Sequence, residues 1–431
     1  MQKIYNQKFK ETLYEEQLPN GLHVVIWYKK DYVSSNALIA VPYGSLDYRQ
    51  LTSEGVYEVP CGTAHFLEHK LFEDPQKDVM AAFSAMGANV NAFTSYNETV
   101  YYFNTSKEDI TEPLNLLLNF VQTLNITDES IEKEKGIIIQ ELLMYKQMPD
   151  IRLFNETFSA IYHDFPLKYD IGGSVESVTS ITRTDLMECY RRNYHPANMY
   201  LVVVSAQDPQ ILMSVIKDNQ STKEFSTFEP IKRFQYQEPN TCVTLSGKFN
   251  MDVNTNKACL AFKLPIIIES SSERVLTEWG LRFLLEAYFT GMNAEYQDWL
   301  DNEIITDYFG YDIDLSKDYA ILMFYNECND ITKFRTMITK QLEKMKKELI
   351  DEALITQLKR RYYGQAVRMF NSINDIGVTY IRDLFNHLDL FSSIEVINQV
   401  DTSVINKACD RIDLSNSTLV ELTNDDKEEN I

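Results

Sequence analysis

Thr63-Ala64-His65-Phe66-Leu67-Glu68-His69 opens a stretch whose apolar spacing predicts a helix over residues 63–86, closed by Gly87 as its C-cap. At about 100° of rotation per residue, His69 lies about 40° from His65 around such a helix, and Glu68 projects from the same side. Two imidazoles and a carboxylate on one narrow face make a site for a divalent metal with a base beside it. The chain contains six histidines, and a chance His-x-x-Glu-His is expected on the order of once in a hundred such chains. Zinc in a catalytic site needs a third protein ligand and an open fourth position. The predicted helix from Asp128 to Tyr145 offers Glu132, Glu134 and Glu141. Glu134 and Glu141 are seven residues apart and share a face, so one can ligate while the other accepts the second N–H of a histidine. Spacing alone does not choose between them. Cys61, four residues before His65, reads as a small buried thiol rather than a further ligand.

Outward from this motif, strand-like and helix-like stretches alternate. The Asn20-Gly21 turn precedes the apolar run Leu22 to Ile26 and signals a hairpin, and Asn36 to Pro42 reads as a second strand. Asn89 to Asn104 alternates as a strand would, with Val90, Phe93, Val100 and Tyr102 as its apolar members. Asp109 to Leu124 and Asp128 to Tyr145 are predicted helices, the second opening on Thr127-Asp128-Glu129 as cap and first-turn acids. Tyr200 to Val204 is a buried strand by its β-branched content.

A polar stretch from about Lys217 to Pro239 is the candidate linker, dividing the chain into residues 1–220, a zinc-binding domain, and residues 235–431, a homologous domain without a metal site. The homology is read from repeated signals. Asp109-Ile110-Thr111 is echoed by Asp330-Ile331-Thr332, an offset of 221, and Asp128-Glu129 by Asp351-Glu352, an offset of 223. Each pair precedes a long amphipathic helix, so a duplicated α+β unit is predicted. The acidic run Asp425 to Glu429 reads as a solvated end.

Composition limits the function. The chain has 431 residues, 44% hydrophobic and 24% charged, enough for two ordinary cores. Its net charge of −22, from 41 basic and 63 acidic residues, repels phosphate backbones and anionic lipid, which argues against nucleic-acid and membrane-surface roles. No apolar run approaches the roughly 20 residues that span a bilayer, and residues 1–16 carry no basic-then-apolar leader, so the cytoplasm is the expected setting. Six dispersed cysteines form neither a disulfide framework nor a zinc ribbon.

The run Gly62 to His69, then Gly87-Ala88-Asn89-Val90-Asn91-Ala92-Phe93-Thr94 with Thr99 and Tyr101, then Glu134 and Glu141, Gly172-Gly173 and Tyr194-His195-Pro196-Ala197-Asn198-Met199, resembles the pitrilysin/insulinase family of inverted His-x-x-Glu-His zinc metallopeptidases. The resemblance spans the N-terminal half. It implies that one zinc per chain is held by His65, His69 and Glu141, that Glu134 supports the site, and that Glu68 is the catalytic base. It also implies that Asn91, Ala92, Phe93 and Thr94 form an edge to which a peptide adds as a strand. Two homologous α/β-sandwich domains point to the mitochondrial-processing-peptidase-like branch, in which such a chain forms half of a clam-shell chamber. The stretches His69 to Glu73 and Phe289 to Tyr296 are similar to a Firmicute-type subgroup associated with elongation-factor-P modification and peptide maturation.

The C-terminal half resembles the family faintly. Ile304 to Tyr325 offers Tyr308, Tyr311 and Tyr319 but no arginine for the Arg/Tyr pair with which such a domain grips the substrate carbonyl. The expectation is therefore a zinc-dependent endopeptidase acting on short or unfolded peptides. The partner the resemblance implies is a related metal-lacking subunit that supplies the pair, with a homodimer as the other arrangement. The rival reading is a catalytically silent structural or assembly subunit of the same fold, which would be expected to have degraded the ligand set.

Overall fold

The computed structural model describes residues 1–74, 78–268, 270–348 and 350–424; the acidic run Asp425 to Glu429 lies outside the described residues. The chain forms two compact units. The first is built from residues 1–143, 169–235 and 368–385, and the second from residues 144–168, 236–367 and 386–431. One crossing, between Gln235 and Tyr236, falls in the polar stretch; the exchange of residues 144–168 and 368–385 leaves no mark in composition.

In the first unit β1 (Gln2–Asn6), β2 (Glu11–Gln17), β3 (His23–Tyr28) and β4 (Ser35–Val41) are followed by a small hairpin, β5 (Arg49–Thr52) and β6 (Gly55–Glu58). Then come α1 (Thr63–Leu71), α2 (Val79–Ala85), β7 (Ala88–Thr94), β8 (Thr99–Thr105), α3 (Thr111–Val121) and α4 (Asp128–Lys146). After α5 (Pro149–Ile161), which belongs to the second unit, the chain returns through α6 (Val175–Ser180), α7 (Arg183–Asn193), β9 (Tyr200–Ser205), α8 (Pro209–Ser221) and β10 (Lys232–Arg233). The main sheet has the order β1-β2-β3-β9-β4-β8-β7, with β3 and β9 parallel and β7 at an edge.

The predicted helix over residues 63–86 is two helices. Phe72 caps the first and the Asp78 side chain accepts from Ala81 N–H to cap the second. The sequence between them contains Pro75, a residue type that has no N–H for a helical ladder and disfavours helical backbone before it. Gly87 does take a positive φ of 72° after the second helix. The predicted strand over residues 89–104 is likewise a hairpin, β7 against β8, because residues 95–98 turn back on themselves with Ser95 N–H donating to Glu98 O at 2.8 Å. The Asn20-Gly21 hairpin forms as expected and joins β2 to β3.

β4 is buried along its whole length, as a strand covered on both faces must be. One face packs Ala37, Ile39 and Val41 with Phe66, Leu67, Leu117 and Val203. The other receives α13 (Ile373–Phe385), whose Gly377 approaches so closely that a Cβ there would lie 2.7 Å from a methyl of Leu38.

The second unit repeats this plan. β11 (Ser246–Met251), β12 (Lys257–Lys263), α9 (Ser271–Phe289), α10 (Tyr296–Asp301), β13 (Gly310–Leu315), β14 (Ala320–Glu327), α11 (Ile331–Met345) and α12 (Glu352–Arg368) run in the order of β3, β4, α1, α2, β7, β8, α3 and α4. After α13 come α14 (Leu390–Val396), α15 (Thr402–Asp410) and β15 (Ser417–Asn424). The sheet order β11-β15-β12-β14-β13 matches β3-β9-β4-β8-β7, with the same single parallel pair, β11 with β15. The short echoes at residues 109 and 330, and at 128 and 351, mark the starts of corresponding helices. The architecture is α+β, two homologous units each with helices on its sheet.

Candidate functional site

α1 begins at Gly62, whose φ of 91° is left-handed and whose added Cβ would lie 2.3 Å from Gly172 O. Gly173, at φ 84°, meets the turn from the other side, where a Cβ would lie 2.4 Å from Cys61 O. Only glycine fits both positions, so the loop over residues 170–174 is seated against the start of α1. Phe66 and Leu67, both fully buried, hold α1 on the core and turn His65, Glu68 and His69 away from it. α4 is anchored by Ile131, Ile138 and Leu142, which leaves Glu134 and Glu141 directed at α1.

Three donor atoms converge. His65 Nε2 is 3.9 Å and His69 Nε2 3.6 Å from Glu141 Oε2, and one ligand atom from each of these residues lies within 4.8 Å of the others. Among the described residues this is the one group of histidine, cysteine and acidic side chains so arranged. His69 Nδ1–H donates to Glu134 Oε1 at 3.0 Å, which fixes the tautomer and leaves the Nε2 lone pair facing Glu141. The 3.6–3.9 Å separations exceed hydrogen-bond length but suit donors that share one ion, so the residues fit zinc. Lys70, 1% exposed, lies on the far side of Glu134, with Nζ 3.9 Å from Oε2, bonded to Ser130 O at 3.2 Å and paired with Glu73.

Electrostatics agree with this division. Burial, reinforced by the His69 charge, pushes the His65 imidazole down to about 4, so it is neutral and able to donate an electron pair. Burial acts against the charged form of His69 too, but the hydrogen bond and charge of Glu134, with Glu68 and Glu141, outweigh it and raise that group. Glu134 is lowered: burial opposes its charge, and the His69 hydrogen bond and charge, with Lys70, overcome that. Burial raises Glu68, and the hydrogen bond from Thr94 partly offsets the rise.

Of the residues singled out by sequence, His65, His69, Glu68, Glu134 and Glu141 come together, whereas Glu132 pairs with Lys135. Asn91, Ala92, Phe93 and Thr94 lie on β7, at the edge of the sheet. Thr94 does something the sequence reading missed: its Oγ1–H donates to Glu68 Oε2 at 2.6 Å. The signal was available in strand alternation, which sets Val90, Ala92 and Thr94 on one face of β7. In the second unit Tyr308 donates to Asp150 at 2.6 Å, Tyr319 to Asp314 at 2.6 Å, and Tyr311 to Glu286 at 3.3 Å.

Residues 55–175 match the family described as Insulinase (Peptidase family M16), and residues 180–362 match the Peptidase M16 inactive domain. A Bacillus subtilis protein named as the uncharacterized zinc protease YmfH is 33% identical over 92% of this chain and 93% of its own length. The mitochondrial-processing peptidase subunit beta of Saccharomyces cerevisiae is 32% identical over 46% of this chain and 42% of its own. A crystal structure of an M16-like peptidase from Alicyclobacillus acidocaldarius superposes with a TM-score of 0.91 at 30% identity, covering 96% of this chain and 98% of that one. Pitrilysin, at 16% identity and a TM-score of 0.76 over 98% of this chain and 46% of its own, shares the fold. With this ligand geometry and full-length similarity to a zinc protease, the chain belongs to the insulinase family, peptidase family M16, and its cofactor is zinc.

Proposed function

We propose that this chain is a zinc-dependent endopeptidase that hydrolyses short or unfolded peptides in a closed chamber, as the catalytic subunit of a heterodimer. The observation that carries the reading is the convergence of His65 Nε2, His69 Nε2 and Glu141 Oε2 with the Glu68 carboxylate on the same helix face. His65, His69 and Glu141 are the ligands, and Glu134 orients His69. Zinc in such a site supplies Lewis acidity, polarising a carbonyl oxygen and acidifying water. Glu68 takes a proton from the attacking water and passes it to the leaving amine, a task that a half-buried carboxylate with a raised affinity for protons suits. Thr94 occupies Oε2 of Glu68, which leaves Oε1 for the transfer.

The peptide adds to β7 as a further strand along Asn91 to Thr94, its main chain held by ladder hydrogen bonds. The three tyrosines of the second unit that could grip a substrate carbonyl each donate to a carboxylate of their own unit, and no arginine lies between Ile304 and Tyr325. This supports a related subunit that supplies an Arg/Tyr pair, with a homodimer as the other arrangement. The six cysteines form no disulfide among the described residues, which suits a reducing, cytoplasmic setting. A catalytically silent subunit is less well supported, because drift would have scattered donors that here converge.

The test is zinc content measured beside peptidase activity, for the chain alone and with a related partner chain. Glu68→Gln is expected to keep zinc and lose nearly all turnover, while His65→Ala and Glu141→Ala lose both. A fully active Glu68→Gln protein would falsify the mechanism.

A further inference from the structure

The turn between β7 and β8, residues 95–98, is held from several directions. Ser45 and Leu46 N–H donate to the carbonyls of Ser95 and Tyr96, each at 3.0 Å. Gly44 sits so near that a Cβ would lie 2.5 Å from Tyr96 O. Asp47, 4% exposed, accepts Gly44 N–H on Oδ2 at 3.0 Å and takes two arms of the Arg233 guanidinium, Nε to Oδ1 at 2.6 Å and Nη2 to Oδ2 at 2.9 Å. The third arm, Nη1, donates to Asn97 Oδ1 at 2.6 Å, inside the turn. Arg233 is itself fixed by β10, whose Arg233 pairs with Gln50 of β5. On the other side, Glu98 accepts from Arg382 Nε at 3.0 Å.

We infer that Arg233 is a positioning residue: it sets the β7–β8 turn through Asn97 and Asp47, and so aims the Thr94 hydroxyl, one residue before the turn, at Glu68. The inference rests on the reading of Glu68 as the base. The fork geometry is essential to it. A guanidinium can satisfy Asp47 with two parallel bonds and still reach Asn97, whereas a lysine ammonium neutralises Asp47 as a point charge. If Arg233 served only to neutralise buried Asp47, the bond to Asn97 would have no consequence for turnover.

The experiment compares the zinc-loaded full chain with Arg233→Lys, Asn97→Ala, Asn97→Asp, Thr94→Ala and Glu68→Gln, each checked for zinc content. Three quantities are read: amide hydrogen exchange over residues 94–98, and kcat and KM on an unstructured peptide. Arg233→Lys and Asn97→Ala are expected to speed exchange in the turn about tenfold and to lower kcat about tenfold with KM within about twofold, the scale on which misplaced catalytic groups act. Asn97→Asp, which keeps the acceptor, restores both, and Asn97→Ala adds nothing on a Thr94→Ala background. Unchanged exchange overturns the inference. So does an intact kcat in both variants while Glu68→Gln is inert, a result that leaves the base reading standing. A rise in KM alone assigns the turn to substrate docking and also overturns it. Wild-type turnover by Glu68→Gln removes the base reading itself, and the inference with it.

Discussion

Glu134 and Glu141 lie on the same face of α4 with different partners, and on the proposed reading that difference predicts an order of zinc affinities. Glu141 Oε2 faces both Nε2 atoms, whereas Glu134 Oε1 accepts the Nδ1–H of His69 at 3.0 Å. If Glu141 is the third ligand, removing it takes away one of the metal's donors. Structural zinc sites bind with about 10–16 kcal/mol, so one ligand among four is worth roughly 3 kcal/mol, or a hundredfold to a thousandfold in affinity. Removing Glu134 leaves the ligand atoms in place but frees the His69 ring and strips a half-buried N–H of its acceptor. Partners of this kind are worth about 10–100-fold in metal affinity, or roughly 1.4–2.7 kcal/mol. Glu134→Gln keeps an amide oxygen in reach of Nδ1–H and loses the charge, so it falls at the lower end. The buried Lys70 ammonium keeps Glu73 and Ser130 O in either variant, so the chain is expected to stay folded. The expected order of loss is Glu141→Ala, then Glu134→Ala, then Glu134→Gln, measured by competition with a chromogenic chelator at pH 7.5, with thermal melting run in parallel. A Glu134→Ala loss equal to or beyond that of Glu141→Ala would reverse the assignment. Wild-type affinity in Glu134→Ala would refute the orienting role.

Gly62→Ala forces a left-handed φ on alanine and a Cβ to 2.3 Å from a backbone oxygen, and is expected to cost about 3 kcal/mol or more in urea denaturation; a loss below about 1 kcal/mol would contradict the close approach of residues 62 and 172. Asp314, raised to about 6 by burial, binds its proton more tightly folded than unfolded, so its contribution to stability is fully present below about pH 4 and lost as pH rises through 6. Asp314→Asn, which keeps an oxygen for Tyr319, should therefore be more stable than the parent by roughly 3 kcal/mol at pH 7.5 and close to it near pH 4, and a constant difference across that range would count against the assignment. One zinc per chain is expected, and a His65→Ala, His69→Ala double variant should retain none by elemental analysis; retention of a full equivalent would place an ion elsewhere.

What the sequence exposes here follows from the range of the forces involved. His-x-x-Glu-His is legible because helix geometry alone brings residues four apart onto one face, and the α4 carboxylates because seven residues is two turns. The Gly87 cap and the Asn20-Gly21 hairpin are legible for the same reason, since local backbone preference decides them. The hairpin in residues 89–104 reads in sequence as one strand because its turn, Ser95 to Glu98, contains neither glycine nor proline. It is held instead by Gly44, Ser45, Leu46 and Arg233, which are distant in sequence. The contact of Thr94 with Glu68 and the exchange of α5 and α13 between units are non-local in the same sense: a buried face is predicted by its pattern, but its partner is not.

The duplication explains why one unit carries the metal chemistry. α9 and α12 occupy in the second unit the places that α1 and α4 occupy in the first, between corresponding strands of identically ordered sheets. In the first unit the two helices meet through imidazoles and carboxylates whose lone pairs face one another. In the second they meet through Glu286, whose buried carboxylate is paired with Arg361 and accepts Tyr362 at 2.8 Å and Tyr311 at 3.3 Å. A permanent guanidinium there balances the acid's charge and uses the oxygen that a divalent ion would need, and neither α9 nor α12 contains a histidine. The same frame thus serves two ends: where the helix crossing is filled by an ion pair it contributes packing, and where it is left to convergent donors it can hold zinc beside the half-buried Glu68 carboxylate.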